Sequence, residues 1–246
     1  SDRHADPYRV WLSEIMLQQT QVPRVIVKHA EFSKAFPTID TLAQSPFSEI
    51  LEYWIGLGYN RRAKFLKQAA EIECRDFSAA IPNEITSLQT LHGIGANTAK
   101  AIAVYSFGQA HAFVETNVRT VFIHHFFADS TGVSDKEILA LVEACIDREN
   151  PRQWYWSVMD YGSWLKKEHG NVSKRSSSYS KQSKFQGSFR QKRAAVLKFI
   201  VTRQDVSIEE LSFHLNIETS IVDLVIDSLI ADKMIIKTGE RISILS

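Results

Sequence analysis

Acidic residues disappear from one stretch of this chain: between Glu168 and Asp205 there is not one Asp or Glu. Cysteine is nearly absent too. Cys74 and Cys145 lie far apart in ordinary helical sequence, which excludes a disulfide framework and offers no metal-ligand spacing. They are expected to be buried free thiols in a reducing compartment. No apolar run approaches the ~20 residues of a membrane span, and the N-terminus has no signal-peptide pattern. A soluble, cytoplasmic protein without a membrane partner is expected. Ten glycines and six prolines are few for 246 residues, and strand-like alternation is scarce before residue 233, so an all-β architecture is excluded. The net charge is only +1, so any nucleic-acid role has to rest on local patches. The chain opens on SDRHADPYRVW with no initiator methionine, and native residues are expected ahead of Ser1.

What is present is helical periodicity over a 44% apolar composition, enough for one large unit and a small one. Pro7–Val27 reads as a helix followed by a second begun at Pro23, with Val10, Trp11, Ile15, Met16 and Leu17 forming an apolar face. Glu14 is embedded in that apolar run, where an acid is costly unless it has a partner or a task. A solvent-facing Glu is the plain alternative. Gln18-Gln19-Thr20 is uncharged yet rich in hydrogen-bonding groups. Helices follow over 27–36, 41–44, 47–55 and 63–73. Between the last two, Gly56-Leu57-Gly58-Tyr59-Asn60-Arg61-Arg62 sets a tyrosine and two arginines on a glycine turn. Such a turn can insert into a duplex and grip phosphates, or it can be a packed Tyr with solvated arginines.

The most informative stretch is Leu91–Asn117, LHGIGANTAKAIAVYSFGQAHAFVETN. Gly93 and Gly95 allow close backbone approach, and the helix start behind them offers unpaired N–H donors and a positive dipole end. Asn97 and Thr98 open that helix, and Thr98 and Ala101 keep it slim. This is the pattern of a helix-hairpin-helix, which holds DNA by its backbone; an ordinary packed helix pair is the alternative. Further on, His124 and His125 lie in the apolar run 118–127 and are expected to be core or helix-packing residues. Ser134 and Glu137 are spaced as a capping box, and the aromatic stretch 154–164 is expected to close the core.

Within the acid-free stretch, Lys174, Arg175, Lys181, Lys184 and Arg190 interleave with Tyr179, Phe185 and Phe189. It reads as an ordered basic strap on phosphates rather than a disordered linker. Three helices (189–203, 207–215, 219–232) and a ribbon (234–237, 241–245) then describe a winged helix. Glu218, Asp223, Asp227 and Asp232 make its third helix a poor reader of DNA, so packing or protein contact is expected of it. The domains expected are 1–170, a strap over 171–188, and 189–246.

Four motifs in order carry a resemblance. Trp11–Val22, Gly56–Ala63, Leu91–Ile102 and Val114–Val121 resemble the first catalytic segment, minor-groove wedge, hairpin and second catalytic segment of helix-hairpin-helix DNA glycosylases, specifically the MutY-type adenine glycosylases. The likeness covers about residues 6–165. It implies a mainly α, two-lobed fold with DNA gripped over the cleft between the lobes, followed here by the small winged-helix domain. It also implies that an adenine opposite 8-oxoguanine or G is flipped out and cut from its sugar. By the same match Glu14 is the general acid, Glu115 the carboxylate that stabilises an oxocarbenium-like sugar, and Asn117 a hydrogen-bonding neighbour. Tyr59 matches the wedge, and Gln18 and Gln19 match residues that intrude into the base stack.

Three departures qualify the match. The second acid is usually Asp, and Glu115 is one methylene longer. The four cysteines that hold a [4Fe–4S] cluster in the family are missing over 166–187, so no cluster is expected. The family's 8-oxoguanine-recognising C-terminal domain is replaced by the winged helix. Bifunctional relatives carry a lysine nucleophile where Asn97 stands, and an amide cannot form a Schiff base, so no lyase activity is expected. The expectation is a monomeric, nucleoid-associated, clusterless adenine glycosylase, with a monovalent cation at the hairpin left open. A glycosylase for another base, such as T opposite G, and a lesion-binding protein that cuts nothing are the rivals.

Overall fold

The computed structural model describes residues 6–181 and 183–245; the segment ahead of Asp6, and any residues preceding Ser1, lie outside the described residues. The elements are α1 (Pro7–Leu17), α2 (Val22–Ala35), α3 (Ile39–Gln44), α4 (Phe47–Trp54), α5 (Arg61–Asp76), α6 (Ile85–Leu88) and α7 (Ala96–Phe107). Then come α8 (Thr116–Phe126), α9 (Asp135–Cys145), α10 (Pro151–Glu168), a 3-10 turn (Val172–Arg175), α11 (Phe189–Arg203), α12 (Ile208–Leu215), α13 (Thr219–Ala231), β1 (Ile235–Thr238) and β2 (Arg241–Ile244).

Local chemistry explains most of the helix ends. Ser134 accepts from Glu137 N while its own N–H donates to the Glu137 carboxylate, closing the expected capping box of α9. Ser207 and Glu210 repeat the device at α12. Pro23 and Pro151 sit in the first turns of α2 and α10, where a missing N–H costs nothing. Gly108 ends α7 in the left-handed region, its N–H reaching back to the carbonyls of Ala103 and Val104.

Two compact units result, and neither is continuous in sequence. One takes in the chain up to Glu14, Ile81–Thr90 and the region from Ile94 through the first part of the strap; the other takes in Ile15–Ala80, Leu91–Gly93 and everything from Ser183 onward. In the first, α8 packs against α9, α10 and the 3-10 turn around a core that includes Val104, Phe113, Val118, Ile123, Val142 and Tyr155. In the second, α5 packs on α3 and α4, and Trp54, Leu66 and Ala70 are fully buried. Helix α11 lies on α4, so the C-terminal helices belong to the same body as residues 15–80. The linear division at 170 and 188 follows composition, whereas the units follow packing.

The ribbon pairs Ile235 with Ile244 and Thr238 with Arg241 in antiparallel register, and Val206 adds a bridge to Ile242. Asp223 and Asp227 point to solvent from α13. No helix among the described residues is long and apolar enough to cross a membrane. One expectation fails here: Cys145 is exposed and Cys74 half-buried, so neither thiol is a core residue. Of the two places expected for His124 and His125, the structure shows helix packing and not the core: with Tyr161, Trp164 and His169 they form a ring cluster at the surface of α8 and α10.

Candidate active site and nucleic-acid contacts

The two candidate acids lie in the same unit. Glu14 is the last residue of α1 assigned to it, partly open at its surface yet hemmed in by protein. Burial first, and the neighbouring Glu115 carboxylate second, push its pKa up to about 7. Glu115 is the N-cap of α8: its Oε1 accepts from Asn117 N (2.7 Å) and Val118 N (3.1 Å). Burial raises its pKa, while those backbone donors and Arg119 oppose the rise. Arg119 is itself held by a bidentate pair with Asp135 at 2.7 and 2.8 Å. Glu115 thus folds its side chain back onto its own helix end, where the dipole favours an anion.

The segment that delivers Glu115 is fixed group by group. Lys100 Nζ donates to Ala112 O (3.0 Å), Tyr155 OH accepts from Phe113 N (2.8 Å), and Asn97 Nδ2 donates to Val114 O (3.0 Å). Tyr155 also stacks on Phe113 with centroids 4.0 Å apart. Asn97, expected on DNA, therefore spends its amide N–H on the backbone leading to the acid. Two further residues act here that the sequence did not single out. Tyr105 is buried on α7, and both acids push its phenol pKa up after burial does, so it stays protonated beside them. Gly162 lies against the first turn of α8: a Cβ there would stand 2.4 Å from Asn117 O. A glycine in the middle of an aromatic-rich helix was the available signal for Gly162. Tyr105 gave none.

The hairpin glycines differ. Gly93 has φ +81 and would bring a Cβ to 3.2 Å from Phe65, so the fold itself requires glycine there. Gly95 is extended, with nothing within 4 Å of a would-be Cβ, and α7 begins at it without a side-chain cap. There is open space at that point, where a helix start carries N–H groups without intrahelical partners, and Thr98 lies in the first turn.

In the other unit, Gln18 Nε2 donates to Gly93 O (3.2 Å), and Gln19 is exposed with φ +56. Tyr59 is exposed on its turn with φ +47. Arg62, expected on phosphates, is a correction. It is 7% exposed, and its guanidinium donates to the carbonyls of Ile15, Met16, Gln18, Leu57 and Gly58 and to Thr20 Oγ1. It fastens the ends of α1 and α4 together and has no face left for DNA. Burial lowers its pKa to about 10, so it remains charged at neutral pH. Arg61 lies at the surface over the Phe65 ring.

The strap begins as an ordered segment. Arg175 donates to the carbonyls of Phe127, Ala128 and Ile123, closing the end of α8, and Val133 bridges Ser176. Arg175 is thereby withdrawn from phosphate contact, whereas Lys181 and Lys184 are exposed.

The HhH-GPD superfamily of base excision DNA repair proteins matches residues 12–147, and the chain belongs to it. Within that superfamily its sequence relatives are adenine DNA glycosylases. It is 39% identical over 146 residues to the enzyme of Buchnera aphidicola subsp. Baizongia pistaciae, covering 59% of this chain and 41% of that protein. Against the Mycobacterium tuberculosis enzyme it is 28% identical over 260 residues, covering 94% and 83%. The match to the human enzyme is 34% over 166 residues, 66% of this chain and 30% of that protein. The chain thus spans less than half the length of two of these relatives. Among solved structures, a thermostable thymine-DNA glycosylase shares the fold with a TM-score of 0.58 at 24% identity, covering 64% of this chain and 74% of that one.

Proposed function

We propose that this chain is a monofunctional DNA glycosylase that removes adenine mispaired with 8-oxoguanine or G from double-stranded DNA. The adenine DNA glycosylase relatives support the substrate. The observation that carries the chemistry is Glu14, a carboxyl held protonated near neutrality beside an acid anchored to a helix end. In this reading the target adenine is flipped out of the duplex. Glu14 gives its proton to a ring nitrogen, the N-glycosidic bond breaks, and its electron pair leaves with the base. The Glu115 carboxylate faces the resulting sugar cation and takes a proton from the water that adds to it. Glu115 then releases that proton to solvent, and solvent returns one to Glu14.

Phosphates would be held by the helix start behind Gly95 and by Lys181 and Lys184, with Tyr59 as the wedge. The chain has two cysteines, too few for the four thiolates of a [4Fe–4S] cluster. Asn97 has no amine, and Lys100 one turn on is bonded to Ala112 O, which supports hydrolysis without strand cleavage.

The test is an abasic-site assay on duplexes carrying A opposite 8-oxoguanine, A opposite G, and T opposite G, with and without alkali. Breaks in the two adenine duplexes that need alkali are expected. Product from T opposite G alone would replace the substrate, breaks without alkali would replace the monofunctional reading, and binding without product would replace the enzyme.

A further inference from the structure

The turn that carries Tyr59 is held from two sides. From its own unit's first half come Arg62 N and Nε, which donate to Tyr59 O at 2.9 and 3.4 Å, and the Arg62 guanidinium 5.6 Å from the Tyr59 ring. These contacts sustain a left-handed backbone that a tyrosine adopts only under constraint. The second set comes from the C-terminal helices. Arg190, in the first turn of α11, donates through Nη1 to the Tyr59 hydroxyl at 3.3 Å. Its Nη2 is fixed by Ser183 O (2.7 Å) and Ser183 Oγ (3.1 Å).

At the base of the turn, the residue closing α13 does similar work. Asp232 O accepts from Lys64 Nζ at 2.8 Å, and Asp232 Oδ1 pairs with Arg61 Nε at 3.4 Å. Asp232 Oδ2 is held by Arg193 of α11, which also reaches Ser228. Arg61 and Lys64 are the first turn of α5, directly after Tyr59. The C-terminal helices therefore reach both the tip and the foot of one turn, and α11 lies along α4 on its other flank.

We propose that the C-terminal helices are a brace for the wedge, with Arg190 as the positioning residue that directs the Tyr59 hydroxyl and Asp232 as the anchor of the turn's foot. This rests on Tyr59 being the wedge. It gives the C-terminal module a role in distorting the duplex rather than in reading its sequence. That agrees with the outward acids Asp223 and Asp227, which would repel a phosphate backbone. Arg190 then acts through Tyr59 and not as a phosphate ligand.

The experiment uses the full chain and a duplex with 2-aminopurine next to the mispair, whose fluorescence rises when its neighbour unstacks and does not depend on base cleavage. Tyr59→Ala, Tyr59→Phe, Arg190→Met and the double variant Tyr59→Phe/Arg190→Met are compared with the wild type. Arg190→Met and Tyr59→Phe are each expected to slow the fluorescence rise roughly three- to tenfold, the weight of about one hydrogen bond. The double variant should be no slower than either single, because both remove the same contact. Multiplying effects in the double variant overturn the brace. So does a salt slope of binding that falls by about 0.9 in Arg190→Met, the mark of a lost phosphate contact. If Tyr59→Ala leaves the wild-type signal intact, the wedge reading itself fails and takes the brace with it. If Tyr59→Ala abolishes the signal while Arg190→Met changes nothing, the brace alone fails.

Discussion

Glu14 and Glu115 differ less in kind than in what surrounds them. Glu14 is raised by burial first and by the carboxylate beside it second, so its proton stays until about pH 7. Glu115 is raised by burial as well, yet two backbone N–H groups and Arg119 favour its charged form. Proton donation needs Glu14 protonated, so single-turnover excision should fall tenfold per pH unit above about 7. Below that a plateau should end on an acid limb as Glu115 takes up a proton, above the ordinary carboxylate value of 4.5. Glu14→Gln should abolish excision with duplex affinity retained; an unchanged alkaline limb in any residual activity would assign the proton to another group. Arg62 makes the opposite point, a charge whose work is structural. Arg62→Met strips several buried carbonyls of their donor at about 1 kcal/mol or more each, so a loss of at least about 3 kcal/mol is expected in urea unfolding. A loss under about 1 kcal/mol would mean that water reaches those carbonyls.

Among the elements, the contact of α10 with α8 sets the geometry of the second acid. Because Gly162 faces Asn117 O with no room for a Cβ, Gly162→Ala should push the first turn of α8 away and carry Glu115 with it. Overpacking of this kind costs about 1–3 kcal/mol. A displacement of ~1 Å at the acid can cost ~100-fold in rate, so single-turnover excision should fall further than the melting temperature suggests. Equal rates in the two proteins would show that α8 yields without moving its cap. The helices themselves were legible because their ends are written locally: Ser134 with Glu137, Ser207 with Glu210, and Ser188 ahead of α11. Arg62 was misread for a physical reason. An arginine after a glycine turn looks the same whether it faces carbonyls or solvent. The docking of α11 on α4 was not legible at all, since Arg190 and Tyr59, or Asp232 and Lys64, meet across more than half the chain.

At the scale of the whole molecule a net charge of +1 hides a segregated distribution. Outward acids sit on α13, and free lysines sit in the acid-free stretch. Neutralising Lys181 and Lys184 together should flatten the salt slope of duplex binding by up to about 1.8, about 0.9 per contact. An unchanged slope would demote the strap to a packed connector. Stability as a whole carries a separate signature, from Glu73. This acid on α5 is fully buried, neither carboxyl oxygen has a hydrogen-bond partner, and burial pushes its pKa up to about 9. The sign follows from linkage. Below the ordinary value of 4.5 both the folded and unfolded forms hold the proton and no penalty exists. Between 4.5 and about 9 only the folded form holds it, so each pH unit upward costs the fold up to about 1.4 kcal/mol. Glu14 adds a slope of the same sign up to about pH 7, and it does so equally in wild type and in a variant at position 73. Glu73→Gln, which cannot ionise, should therefore gain on the wild type steadily from pH 5 to pH 8. Urea unfolding of the two proteins across that range measures the gap. A gap that stays constant with pH would show that Glu73 is charged and partnered in solution, and that the interior of α5 is wetter than its packing implies.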